Sequence, residues 1–263
     1  MNDNFRNQLI FVPCDFTALA FHAIEHGAYM AKAMNCNMTL FHAVKREIEI
    51  TPLTKKLNVV AEECYAKLDV RPNVIVRLGK NPYSAIKDAA IELNPVLVVL
   101  KTAGGVHTIN ILSGTSIPFL VIQGPQTREA ITDISFPINF LNKHDEKLIR
   151  VMFFSGYYPN ALMHIITPTG KDSLKDRLVS QSVATTVKVM ANNKIKVDVI
   201  THNNHVNDAA TILELSKGMD MIVTQIEEVS WIRKLLFGLR EEKLIVNDDK
   251  IPILCFRNVK DFN

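Results

Sequence analysis

Short apolar runs alternate with longer stretches of helical periodicity along the whole chain. The first run, QLIFVPCDF (8–16), is rich in β-branched and aromatic residues and predicts a strand ending at Pro13. From Thr17 to Met34 the period changes, and Ala20, Ile24, Ala28 and Ala31 fall at helical spacing. MTLFHAV (38–44) predicts a second strand, and a polar, helix-forming stretch separates it from a third, NVIVRLG (73–79). A helix around Ser84 to Glu92 leads to a fourth strand in PVLVVLK (95–101), and PFLVIQG (118–124) holds the fifth. Apolar strands that take turns with helices imply a parallel sheet, joined by crossovers and covered on both faces.

The second half repeats this order. SFPINF (135–140) resembles FVPCDF (11–16), with Pro137 lying 124 residues after Pro13. LMHIITP (162–168) corresponds to LFHAV, KVDVITH (196–202) to NVIVRLG, DMIVTQ (220–225) to VLVVLK, and IPILCF (251–256) to IPFLVI (117–122). A self-similar period of half the length predicts two tandem domains, 1–127 and 128–263, joined in the polar segment GPQTREAITD (124–133).

Composition narrows the function without naming it. With 263 residues, 48% hydrophobic and 22% charged, the chain reads as an ordinary soluble protein. A net charge of +3, spread along the sequence, lacks the basic patch of a nucleic-acid binder. No apolar run approaches the ~20 residues of a membrane span, and the N-terminus reads as no signal peptide. Cys14, Cys36, Cys64 and Cys255 have no C-x-x-C pair or metal-ligand spacing, so reduced thiols and a cytoplasmic location are expected.

The segments IFVPCDFTALAFHAIEHGAYMAKAMNCNMTLFHAV and RLGKNPYSAIKDAAIELNPVLVVLKT resemble the universal stress protein family across nearly all of the first half. The second half resembles it more weakly. The resemblance implies two α/β, Rossmann-like, five-stranded parallel-sheet domains of strand order 3-2-1-4-5, paired as a pseudo-dimer. It also implies a ligand place at the C-terminal ends of the strands. In ATP-binding members an acid after the first strand approaches the adenosine, and a loop G-x2-G-x9-G-[ST] after the fourth holds the phosphates. Glycines suit that loop because backbone amides must approach the phosphates closely.

Against that pattern the first half keeps the acid, Asp15, but has Lys101 in the place of the first glycine. Gly104 and the pair Gly114-Thr115 match by counting alone. Only 16 residues separate Lys101 from Pro118, and parallel strands need that segment as their return path. Gly114-Thr115 is therefore expected at the opposite end of the sheet from any ligand, as a turn into the fifth strand. The second half has 27 positions from Gln225 to Pro252, against 17 from Lys101 to Pro118, so its loop has room. Its marked places, however, hold Gln225, Glu228, Gly238 and Leu239, and Asn139 replaces the acid. Phosphate binding in the family mode is expected in neither half.

Other candidate chemistry reads plainly. His202-Asn-Asn-His205 with Asp208 lies in a predicted loop without a third metal ligand. His42 and His164 are taken to occupy matching places in the second strands, as core or interface residues. WIRKLLFGLREEKLIV (231–246) predicts an amphipathic helix packing on its own sheet, with Trp231 as a possible anchor for a partner. No catalytic constellation stands out. The expectation is a non-enzymatic stress-response module with a degenerate nucleotide site and no cofactor, ATP and AMP not being favoured. It would act by self-association through its sheet edges or by binding a protein partner, away from nucleic acid and membrane. The alternative is a small-ligand sensor for AMP or a nucleoside, with Pro13, Cys14, Asp15, Ala43, Leu100, Lys101 and Gly104 around the pocket.

Overall fold

A computed structural model describes residues 8–101, 111, 115, 117–125, 131–137, 158, 160–168, 173–202, 209–226 and 250–257. The chain divides into two compact units, one built on Met1–Pro125 and one on Gln126–Lys260.

In the first unit the order is β1 (Leu9–Pro13), α1 (Ala18–Met34), β2 (Asn37–Val44), a 3-10 turn, α2 (Ile50–Leu68), β3 (Asn73–Leu78), α3 (Pro82–Leu93), β4 (Leu97–Lys101) and β5 (Phe119–Ile122). The strands pair in parallel in the order β3-β2-β1-β4-β5. Ile10, Phe11 and Val12 of β1 and Leu97, Val98 and Val99 of β4 are wholly buried. Each such aliphatic or aromatic side chain contributes about 1.5–3 kcal/mol relative to exposure. That is why these two strands read as unbroken apolar runs. β3, paired only to β2, is an edge strand and is partly exposed along its length.

Helix ends follow from local chemistry. α1, α2 and α3 each stop on a left-handed residue, Asn35, Asp69 and Asn94, where short polar side chains tolerate positive φ. α3 begins with Pro82 in its first turn, after an Asn81 side chain that accepts from the Tyr83 amide at 2.9 Å. α1 packs tightly on the sheet because Gly27 faces it. A Cβ built there would stand 2.7 Å from Val12 Cγ2 and 3.2 Å from Met38 Cε.

In the second unit the order is β6 (Asp133–Pro137), β7 (Leu162–Pro168), α4 (Ser173–Asn192), β8 (Lys196–His202), α5 (Ala209–Leu215), β9 (Met221–Ile226) and β10 (Ile253–Arg257). The strands pair in parallel as β8-β7-β6-β9-β10, which is the 3-2-1-4-5 order again. The repeat extends to register: Pro13 stands opposite Phe41 in the first unit, and Pro137 opposite Ile166 in the second. The buried Asp220 carboxylate binds the start of β6, accepting from the amides of Thr132 at 2.8 Å and Asp133 at 3.1 Å.

That register corrects one expectation. His164 stands opposite Ser135, whereas His42 lies one residue beyond the Phe41–Pro13 pair. The position equivalent to His42 is therefore Thr167, and His164 corresponds to Thr39. Apolar similarity had aligned LMHII with LFHAV, three places out of register. His164 Nε2 lies 2.9 Å from Asp133 Oδ1 near the start of β6 and β7, and its Nδ1 approaches Asp198 Oδ2 to 3.4 Å. Of the other segments considered, His202 ends β8, while 203–208, 227–249 and Asn139 lie outside the described residues.

Gly27 gives a direct test of the packing. Gly to Ala inside a helix ordinarily gains about 1 kcal/mol, but overpacking a core costs about 1–3 kcal/mol. With the added methyl driven onto the immobile Val12, Gly27→Ala should lower stability by about 1 kcal/mol net in urea unfolding. A stabilised variant would contradict the close seat of α1.

Candidate functional site

The sheet order of the first unit reverses at β1, whose neighbours β2 and β4 carry the chain away in different directions. Crevices form at such switch points, beyond the carboxyl ends of the strands. Here the crevice is a cavity of about 340 Å³. Pro13, Cys14 and Asp15 follow the line of β1, Phe41, His42 and Ala43 come from β2, and Leu100 and Lys101 end β4. Pro82, Tyr83 and Ile86 from the first turns of α3, with Ile111, complete the wall. The volume is near the lower end of the ~300–1,000 Å³ typical of small-molecule pockets.

Lys101 reaches from the end of β4 to the turn that follows β1. Its Nζ lies 2.5 Å from Asp15 Oδ2 and donates to Thr17 Oγ1 at 3.0 Å. The other Asp15 oxygen, Oδ1, accepts from the Thr17 hydroxyl at 2.7 Å and from its amide at 3.2 Å. Asp15 therefore orders the turn ahead of α1. The N-cap itself is Thr17, whose hydroxyl accepts from the Ala20 amide at 3.4 Å. Burial would raise the Asp15 pKa, but the bonds from Lys101 and Thr17 outweigh it and hold the carboxyl below its ordinary value.

His42 is fixed by the backbone. Its Nδ1 lies 2.7 Å from the Cys14 carbonyl oxygen, and a carbonyl can only accept, so Nδ1 carries the hydrogen. Nε2 is left without a partner among the described residues. The ring sits 4.9 Å from that of Phe16, over which the Lys56 ammonium stands at 4.1 Å. Phe16 itself has φ +62°, a left-handed conformation that costs a bulky residue energy. Burial pushes the Cys14 thiol pKa up, against the Phe16 amide that lowers it, so the thiol is no ready nucleophile.

The structure thus brings together Pro13, Cys14, Asp15, Ala43, Leu100 and Lys101, whereas Gly104 and Gly114 lie outside the described residues. Thr115 is buried but is not part of the cavity wall. Lys101 is level with Ile122, and Val98 with Phe119, so the chain from Lys101 to Phe119 must return the length of a strand. Sequence reasoning missed His42 as a cavity residue, and missed Thr17 and the start of α3. An Asn-Pro helix start at Asn81-Pro82 was the available signal for the last of these. The described residues hold no group of three His, Cys, Asp or Glu that could bind a metal ion, and no described helix is long and apolar enough to cross a membrane.

A parallel sheet reversing beside its first strand, with a crevice at that point, places the first unit in the open α/β class whose ligands bind there. No family model matches the sequence, and none of the curated proteins does. Solved structures do match. A universal stress protein from Archaeoglobus fulgidus DSM 4304 aligns over 97% of this chain and 98% of its own, with TM-score 0.70 and 14% identity. A functionally unknown protein from Pseudomonas aeruginosa PAO1 aligns over 95% of this chain and 92% of its own, with TM-score 0.64 and 11% identity. The fold is that of the universal stress proteins, in tandem form.

The Asp15 shift fixes a pH dependence. A carboxyl with a lowered folded-state pKa adds stability that is present above the unfolded value, about 3.9. That contribution is lost as pH falls through the folded value. Asp15→Asn should therefore be less stable than the parent at neutral pH. The difference should shrink between about pH 5 and pH 2 in denaturant titrations. A difference that does not vary with pH would mean that the ion pair stabilises nothing.

Proposed function

We propose that this chain is a non-enzymatic tandem universal stress protein of a stress response, whose first unit does not hold a triphosphate in the manner of ATP-binding members. The observation that carries this reading is the contact between Lys101 and Asp15. The acid that would address an adenosine is already bonded on both oxygens. The place of the first loop glycine carries a long side chain bonded to that acid and to Thr17. Replacing close-approach glycine with lysine removes backbone access to phosphate rather than adding to it. The module would then act through its surfaces, by self-association or by binding a protein partner. The edge strands support that reading, since Leu78 on β3 is 55% exposed and Val199 on β8 is 38% exposed.

Two measurements test it. Calorimetry with Mg-ATP should give no saturable heat below a Kd of about 1 mM, and micromolar binding would sink the reading. Sedimentation over a range of concentrations should show self-association, or a partner should be captured through an edge. A strict monomer whose β3 and β8 edges tolerate substitution without losing any partner would remove the surface role.

The cavity favours a second reading, a sensor for a small ligand such as AMP or a nucleoside beside Asp15, in a cytoplasmic setting. Its walls are mainly apolar with a few convergent polar groups, the usual make-up of a ligand site. If the idea holds, Asp15→Ala abolishes binding of AMP or adenosine. An unchanged affinity in that variant would remove Asp15 from the site.

A further inference from the structure

The cavity's unused hydrogen-bonding groups define what it can take. Lys101 has three N–H donors, and two are engaged by Asp15 Oδ2 and Thr17 Oγ1. The third has no partner among the described residues. Opposite in character is His42 Nε2, an acceptor in the neutral ring, because Nδ1 already donates to the Cys14 carbonyl. The remaining wall is largely apolar: Pro13, Phe41, Ala43, Ile86, Leu100 and Ile111.

Charge narrows the class further. Asp15 and Lys101 cancel, and the Lys56 ammonium over Phe16 at the His42 rim leaves, among the described residues, a local excess of one positive charge. Lys101 lines the cavity itself, and Lys56 stands over the Phe16 ring that abuts His42 in the wall. Lys101 is only 21% exposed along its side chain, which limits screening by water. A ligand bearing a single negative charge meets that excess. A phosphate monoester brings a charge nearer two beside the Asp15 carboxylate, where Lys101 has one N–H left among the described residues. A primary amine would compete with Lys101 for Asp15 and meet two ammoniums.

We propose that the first-unit cavity binds a small monocarboxylate with an apolar body, its carboxylate accepting the third N–H of Lys101. A hydroxyl or N–H on the ligand's body would donate to His42 Nε2. This rests on the reading of the cavity as a ligand site, and it replaces a nucleoside with a different chemical class.

Benzoate, 4-hydroxybenzoate, benzamide, benzylamine and adenosine serve as probes, titrated into the full chain and followed by amide chemical shifts. The expected result is saturable shifts at residues 13–16, 41–44 and 100–101 with the two carboxylates, at least tenfold tighter than with benzamide or benzylamine. Lys101→Gln, which can still bond to Asp15 and Thr17 but carries no charge, should erase that preference while thermal unfolding stays cooperative. If Lys101→Gln does not fold, Lys101→Arg, which keeps the charge, should retain the preference. Benzamide, benzylamine or adenosine binding as well as benzoate would overturn the carboxylate assignment and leave the ligand site standing. So would a preference that survives Lys101→Gln. Absence of any shift at the cavity with all five probes would overturn both.

Discussion

Parallel pairing on both sides of β1 is the constraint on which the first unit depends. A strand with parallel neighbours on each side sends the chain out towards β2 and must receive it back beside β4. The connections leaving the carboxyl ends of these strands therefore diverge, and the gap between them is the crevice. Everything that faces the cavity is positioned by this arrangement. Asp15 stands just beyond β1, His42 near the end of β2, and Lys101 at the end of β4. The same constraint requires the chain after Lys101 to return the length of a strand before β5.

Much of this was legible in the residues, because burial on both faces writes itself as continuous apolar runs. Strand predictions such as LMHIITP and KVDVITH coincide with β7 and β8, and PVLVVLK begins two residues ahead of β4. Asp15 and Lys101 could be placed at one end of the sheet by counting from those runs. What counting could not supply was the direct bond between them, which depends on a side chain crossing from one strand end to another. His42 shows the same limit. Its role follows from which carbonyl it meets, and pattern similarity paired it with His164 when register pairs it with Thr167. Apolar runs specify where strands are but leave the register between repeats free by a few residues, and polar chemistry is decided by register.

Between the two units the comparison is one of frame against site. Both keep the strand order and the proline that ends the first strand, since these serve packing. The first unit alone combines an acid, a lysine and a histidine around its crevice within the described residues. The glycine-rich pattern that suggests phosphate binding is, in the first unit, interrupted by the lysine that pairs with Asp15. A glycine and a lysine at a strand end differ in both reach and charge, so this one position alters what the crevice presents.

Gly27 lets α1 rest against Val12 and Met38 with no side chain between, which ties the turn bearing Asp15 and Thr17 to the sheet. Lys101 is held in a different way, as the last residue of β4, level with Ile122 of β5. The ion pair therefore spans two backbone positions that are each held in place, one by helix packing and one by strand pairing.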